Sequence, residues 1–291
     1  MRILITGGQG QLGHDVNTLL GRDHQVMACS SRELDISNKA QVRSVLSDYK
    51  PELLVNCAAY TAVDNCEKEK NLAWAVNALG PEYLAVQMEE LGGRMLHIST
   101  DYVFNGNKPH TGGYTEDDFV APLSEYGKSK LAGEDAVAAH CSNVLILRTA
   151  WLYGWKGNNF LKTMLRLSLA DPDRELKVVS DQYGSLTWTA TLARQIAALL
   201  SSEMQGIAHA TATGSTTWYE GACYFLDAMG VPYNLNPCST SEYPTPAHRP
   251  ANSILENQRL EKTGASVFNS WKDDIDQFVA LHKDDLLREA G

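Results

Sequence analysis

Tyr126 and Lys130 stand four residues apart in the run YGKSK, a spacing that puts both on one face of a helix. A tyrosine with a pKa near 10 is a poor proton relay at neutral pH, and lowering it by about 3 units takes roughly 4 kcal/mol. One ammonium about 4 Å away, at an effective dielectric near 20, supplies about that much. Lys130 is therefore enough in principle to tune the phenol. Upstream, Ser99-Thr100-Asp101-Tyr102-Val103-Phe104 lies at the end of the strand-like run Met95 to Ser99. A hydroxyl there, Thr100, can hydrogen-bond the same carbonyl oxygen that Tyr126 protonates. Each part alone says little: any helix can carry YxxxK by chance, and a lone threonine more often caps its own loop. Together the three residues make a constellation for carbonyl reduction, in which hydride reaches carbon and a proton reaches oxygen.

A hydride needs a carrier, and residues 7–13 read GGQGQLG. Gly7, Gly10 and Gly13 fit GxxGxxG, while Gly8, Gly10 and Gly13 fit GxGxxG. The first glycine permits a tight turn, Gly10 lets backbone approach a pyrophosphate, and Gly13 lets helix and strand pack closely. The free N–H groups of the helix start then face the anion. After the next strand-like run, Gln25 to Cys29, come Ser30, Ser31 and Arg32, with the acids Glu33 and Asp35 only later. Two hydroxyls and a guanidinium can accept a 2'-phosphate, which predicts NADPH binding with NADH tolerated. A solvated loop charge is the alternative for Arg32.

The elements that must position these residues follow from the hydrophobic pattern. Short β-branched runs (Ile3 to Thr6, Gln25 to Cys29, Leu53 to Cys57, Met95 to Ser99, Val144 to Leu147) alternate with helical patterns from about Gln11, around Lys39 to Tyr49, Leu72 to Leu91 and from about Tyr126. That order predicts an α/β fold with a doubly wound parallel (Rossmann) sheet, whose ligands sit beyond the carboxyl ends of the strands. Residues 1–150 are expected to form the dinucleotide-binding domain. Residues 151–291 are expected to form mainly a smaller substrate-binding cap, with some segments returning to the sheet. Helices are predicted there near Phe160 to Leu169, Thr189 to Ser201, Thr216 to Met229 and Trp271 to His282; the proline-rich stretch Asn234 to Pro250 is a poor helix or central strand.

Composition narrows the function classes. The 291 residues carry 25 Lys+Arg against 35 Asp+Glu, a net charge of -10, which argues against a broad electrostatic grip on nucleic acid or an anionic membrane. Six cysteines with no CxxC pair or zinc-like spacing read as reduced thiols, with no metal site. No apolar run approaches a membrane span, and the strand-like MRILIT opens the chain without a leader pattern. A cytoplasmic protein is the expectation.

These stretches carry a resemblance. The sequence resembles the extended short-chain dehydrogenase/reductases, and among them the branch that reduces a 4-keto dTDP-deoxysugar at the end of dTDP-L-rhamnose synthesis. The matching segments are ITGGQGQLG (5–13), ELDIS (33–37), VNCAAYTAVDNCE (55–67), STDYVFNG (99–106), YGKSKLAGE (126–134), RTAWLYG (148–154), KGNNF (156–160), DQYGSLTW (181–188) and AHRPANSIL (247–255). They cover nearly the whole chain in family order.

The resemblance implies that NAD(P)H reduces C4 of dTDP-4-dehydro-β-L-rhamnose with Tyr126 as proton donor, for surface-polysaccharide synthesis. It places Gly10, Gln11 and Leu12 at the pyrophosphate, Asp35 and Ile36 at the adenine side, and Ala58, Ala59 and Tyr60 at the end of the third strand. It also gives Lys130 the nicotinamide ribose. For the sugar it points to Asp101, Tyr102 and Trp151, with Asn159 and Arg249 for the nucleotide diphosphate. Trp151 reads equally well as a packing residue, and Arg249 as a loop ion pair. Some relatives are dimers bridged by magnesium. Here Asp15 matches one bridging position, but Thr187 to Leu192 offers no acid, so a monomer or a weak homodimer without a magnesium bridge is expected. Two other readings remain open: reduction of another nucleotide-linked 4-keto-6-deoxysugar, and a non-catalytic regulatory subunit like that of methionine adenosyltransferase.

Overall fold

The computed structural model describes residues 1–291. Its first half runs β1 (Arg2–Thr6), α1 (Gln11–Leu20), β2 (Gln25–Cys29), α2 (Lys39–Tyr49), β3 (Leu53–Asn56), α3 (Gly80–Leu91), β4 (Arg94–Thr100), α4 (Glu125–His140) and β5 (Val144–Thr149). The second half adds α5 (Phe160–Ala170), β6 (Leu176–Val179), α6 (Thr189–Ala198), β7 (Gly206–His209), α7 (Trp218–Met229), β8 (Leu235–Cys238) and α8 (Trp271–Ala290). Six strands form one parallel sheet in the order β7-β5-β4-β3-β1-β2. The order reverses direction at β1, the switch point beyond which ligands bind in such sheets.

Period-two alternation sorts the strand residues onto two faces. Ile3, Ile5, Leu53, Val55, Leu96, Ile98, Leu145 and Leu147 pack against α1 and α6. Leu4, Leu54, Met95, Val144 and Ile146 pack against α2, α3 and α4. Both faces are covered, so the strands are almost continuously apolar, as parallel strands must be. A second core lies beyond the sheet, where α5, α7 and α8 bury Leu161, Leu165, Phe225, Leu226, Ile275 and Phe278 around Tyr153, Trp188 and Trp271.

Two elements differ from their sequence expectations. The helix expected over 72–91 is helical from Lys70, but through a π turn at Ala75–Leu79. There Asn77 is fully buried, and its side chain accepts from Tyr60 N and donates to Tyr60 O and Ser129 Oγ. Asn77 thus bonds to the third-strand loop and to α4, at a place where the helix widens. Strand β7, from the second half, pairs with β5 and completes the sheet; its four residues carry no β-branched apolar run. The proline-rich stretch contributes a single 3-10 turn at Thr240–Glu242 and β8, paired with β6 in a separate two-strand ribbon that tolerates Pro237 at its edge. No helix is long and apolar enough to cross a membrane.

Candidate active site

Beyond the carboxyl edge of the sheet lies a cleft of about 680 Å³. Its floor is the turn after β1. Gly7 sits at φ +65°, and a Cβ on it would lie 2.9 Å from the Ala58 backbone, so only glycine fits. Gly13 lies so close to Gly7 that a side chain would overlap the Gly7 carbonyl. Gly10 caps α1 with no side-chain acceptor, and the first turn holds no acid. The opening N–H groups of α1 are therefore left for an anion, which is the arrangement a dinucleotide pyrophosphate requires. Gln11, Leu12, Ser30, Ser31, Asp35, Ile36, Ala58 and Ala59 line the same cleft. Asp35 turns its carboxylate back to Ser37 N and Oγ, at 3.0 and 2.7 Å.

The catalytic candidates meet on the opposite wall. Thr100 ends β4, Tyr126 and Lys130 come from the first turns of α4, and all three are buried and line the cleft. Ser124 starts that helix by accepting from Gly127 N at 3.1 Å, while a Cβ on Gly127 would overlap the Tyr102 carbonyl. The close approach of α4 to the β4 loop sets the distance between Tyr126 and Thr100. The Thr100 hydroxyl donates to Asp101 Oδ1 at 3.0 Å and accepts from Tyr102 N at 3.2 Å. The Tyr102 ring stands edge-on to Tyr126, with centroids 5.5 Å apart.

Burial dominates the electrostatics of this wall. It pushes the Tyr126 phenol above the usual tyrosine range, partly offset by the neighbouring Thr100 hydroxyl. It lowers Lys130 to about 8, against the raising effects of Glu134 and Cys57. It raises Asp101 to about 6, against hydrogen bonds from Ser253 and Thr100. Lys130 Nζ donates to Ile98 O at 2.6 Å. The expectation that Lys130 pulls the phenol down is thus outweighed here by desolvation of the phenol.

Trp151 and Asn159 also line the cleft. Asn159 caps α5 by accepting from Lys162 N and donates to Gln11 Oε1 at 3.1 Å, joining the second half to the glycine loop. Three expected contacts fall elsewhere. Arg32 is exposed and outside the lining, so Ser30 and Ser31 alone remain from the expected 2'-phosphate set. Tyr60 is turned away, with its hydroxyl donating to Glu69. Arg249 makes a two-pronged ion pair with Asp64, at 3.0 and 2.8 Å, behind Tyr102, on which its charge acts. Its position is that of the loop ion pair. Asp15 accepts from Thr189 Oγ1 at 2.5 Å.

Sequence reasoning missed the support beneath the wall. Arg148 on β5 forks onto both carboxylate oxygens of Glu134 on α4, with contacts of 2.6 to 3.2 Å, and Ser99 Oγ donates to the same carboxylate. Glu134 lies four residues after Lys130, so helical spacing could have found it; Arg148 gave no signal. It also missed Trp218, whose ring stacks on Trp151 at 3.7 Å.

A parallel sheet with an uncapped glycine turn at its switch point, facing a Thr-Tyr-Lys wall, defines the class of short-chain dehydrogenase/reductase folds. The comparisons with known proteins narrow this. The family model of the RmlD substrate binding domain matches residues 1–283, and the chain belongs to that family. A spore coat polysaccharide biosynthesis protein, SpsK, of Bacillus subtilis is 37% identical, over 96% of this chain and 96% of its own length. A dTDP-4-dehydrorhamnose reductase of Sinorhizobium fredii is 38% identical, over 96% of this chain and 97% of its own. The solved dTDP-4-dehydrorhamnose reductase of Bacillus anthracis, in complex with NADP, superposes with a TM-score of 0.92 at 38% identity, covering 96% of this chain and 99% of that one.

Proposed function

We propose that this protein reduces the 4-keto group of dTDP-4-dehydro-β-L-rhamnose to give dTDP-L-rhamnose, using NADPH or NADH. The observation that carries the reading is that Tyr126, Thr100 and Lys130 share one cleft with the uncapped glycine turn. Residues 1–150 would supply the cofactor half and residues 151–291 most of the sugar half. The backbone N–H groups of Gln11, Leu12 and Gly13 would hold the pyrophosphate, with Ser30 and Ser31 toward the adenosine ribose. When bound, a reduced nicotinamide supplies hydride to the carbonyl carbon.

The protein's own groups do the rest. Thr100 and Tyr126 direct hydrogen bonds at the carbonyl oxygen, and Tyr126 delivers its proton as negative charge grows there. Burial keeps the phenol protonated at rest, which suits a donor. The Lys130 ammonium, held in place by Ile98 O, binds the cofactor ribose and favours the transient phenolate. Trp151, Asp101 and Tyr102 enclose the hexose and exclude water, which strengthens each of these interactions.

SpsK, named for spore coat polysaccharide, supports a product destined for a surface glycan. Assembly is expected without a magnesium bridge, because Asp15 is engaged by Thr189; equal sedimentation with magnesium and with EDTA is the corresponding result. The deciding experiment for activity is NADPH oxidation with dTDP-4-dehydro-β-L-rhamnose, followed by NMR of the product. A different C4 configuration would make this a reductase of another 4-keto-6-deoxysugar. Tight NADP binding with no turnover would favour the regulatory reading.

A further inference from the structure

Trp151 has φ +47°, and Lys50 is the one other non-glycine residue with positive φ. A bulky side chain on left-handed backbone is strained and persists only where its surroundings over-determine it. Trp151 follows the end of β5 and lines the cleft beside Thr100 and Tyr126. Its indole is stacked on Trp218, with centroids 3.7 Å apart and planes 10° from parallel. Gly184 gives it room, since a Cβ there would lie 2.6 Å from Trp151 Cζ2.

Trp218 is itself held from several directions. It opens α7, whose capping box pairs Thr217 with Glu220. Its Nε1 donates to Gln182 Oε1 at 3.2 Å, Gln182 donates on to Thr240, and Phe160 packs edge-on against the ring at 4.8 Å. These restraints all come from the second half of the chain, whereas Trp151 hangs from the sheet. Trp151 packs against the second core only at its margin, and the fully buried rings of that core, Tyr153, Trp188, Phe225, Trp271 and Phe278, are all held without a positive φ.

We infer that Trp218 is a positioning residue for the sugar site, fixing Trp151 in its strained conformation so that the indole stands as the wall against which the hexose is placed. The inference rests on the cleft being a nucleotide-sugar reductase site. It assigns Trp218 an effect on sugar binding, with none on the dinucleotide at the far end of the cleft.

The test uses the purified full chain and the variants Trp218→Leu, Trp218→Phe and Trp151→Leu. Stacked indoles give an exciton-split far-ultraviolet circular-dichroism band, read without any ligand. The wild type should show it, and Trp218→Leu and Trp151→Leu should both lose it. In Trp218→Leu, KM for the dTDP-4-keto sugar should rise about tenfold, the upper end of what an aromatic pair contributes beyond its buried area, with kcat reduced less and Kd for NADPH unchanged. Trp218→Phe should recover most of the KM. An unchanged KM in Trp218→Leu after loss of the band would overturn the inference, as would a band that survives the substitution. Should Trp218→Leu fail to fold, Trp218→Phe decides: a KM rise smaller than that of Trp151→Leu supports the inference, and a wild-type KM overturns it. Absent wild-type turnover would instead count against the proposed function, and the ligand-free band would still report on the stack.

Discussion

The two halves of the molecule are packed from different materials. On both faces of the parallel sheet the fully buried apolar residues are aliphatic or sulfur-bearing, with no Phe, Tyr or Trp among them. In the second core, Tyr153, Trp188, Phe225, Trp271 and Phe278 carry much of the burial. A sheet flanked by helices repeats the same narrow gap strand after strand, and branched aliphatic side chains fill it. The second half has only short strands and loosely related helices, so large rings that each bury 150–250 Å² do the work that repetition does elsewhere. The cleft lies between the two. Its glycine-turn side is backbone and aliphatic side chains, while the rest of its wall carries indole and phenol rings.

The comparison can be broken at its weight-bearing ring. Phe278→Ala should cost about 3–5 kcal/mol, more than the 2–5 expected of Leu54→Ala in the sheet, measured by urea unfolding. Phe278 touches Tyr153, Trp188, Phe225 and His282, so few neighbours can close the hole. A smaller loss than that of Leu54→Ala would show that the aromatic half does not depend on its rings more than the sheet depends on its aliphatic side chains.

The ion pair between β5 and α4 tests the sheet half at a buried pair of charges. Glu134→Gln leaves Arg148 unpaired with both partners almost fully buried, and should cost roughly 3–5 kcal/mol. Full stability in that variant would mean that the α4 wall does not depend on the pair. At the chemical step, Tyr126→Phe should lower kcat by at least about a hundredfold and leave Kd for NADPH nearly unchanged, the range expected for a lost general acid. Near-normal turnover would refute the proton-donor assignment.

Two pH effects sharpen the picture further. Asp101 titrates near 6 in the fold and near 3.9 in an unfolded chain, so the native state holds the extra proton between those values. Stability therefore falls as pH rises through that window, by up to about 3 kcal/mol. Asp101→Asn should remove the fall, so its melting temperature relative to wild type should be higher at pH 7.5 than at pH 4.5; an equal difference at both would exclude it. The smallest effect concerns Lys130, lowered to about 8. NADPH affinity should weaken a few-fold as pH rises through that value, and Lys130→Met should flatten the dependence while weakening binding throughout.

The legible and illegible parts divide along the same line. Five sheet strands and the helices between them follow from short β-branched apolar runs and helical spacing, whereas Gly206–His209 is no longer than β3 and lacks such a run. Gly7, Gly10 and Gly13 are readable because their chemistry is local: a turn, a close approach and a helix start lie within seven residues. Thr100, Tyr126 and Lys130 are readable as types, and their shared cleft requires β4 and α4 to be neighbours. Arg32, Tyr60 and Arg249 show the converse. Each sits in a suggestive segment, and each is directed by side-chain geometry or a partner such as Glu69 or Asp64 that spacing does not reveal.

By itself the sequence determined the parallel α/β sheet, the glycine turn after its first strand and the residue types of the candidate Thr-Tyr-Lys trio, because these depend on short-range periods and local backbone demands. Only the tertiary structure decided which second-half segment, β7, returns to the sheet, that Arg148 finds Glu134, that burial rather than Lys130 governs the resting Tyr126, and that Trp218 stacks on Trp151. Those outcomes turn on which distant groups are excluded from water together, and desolvation depends on the whole fold.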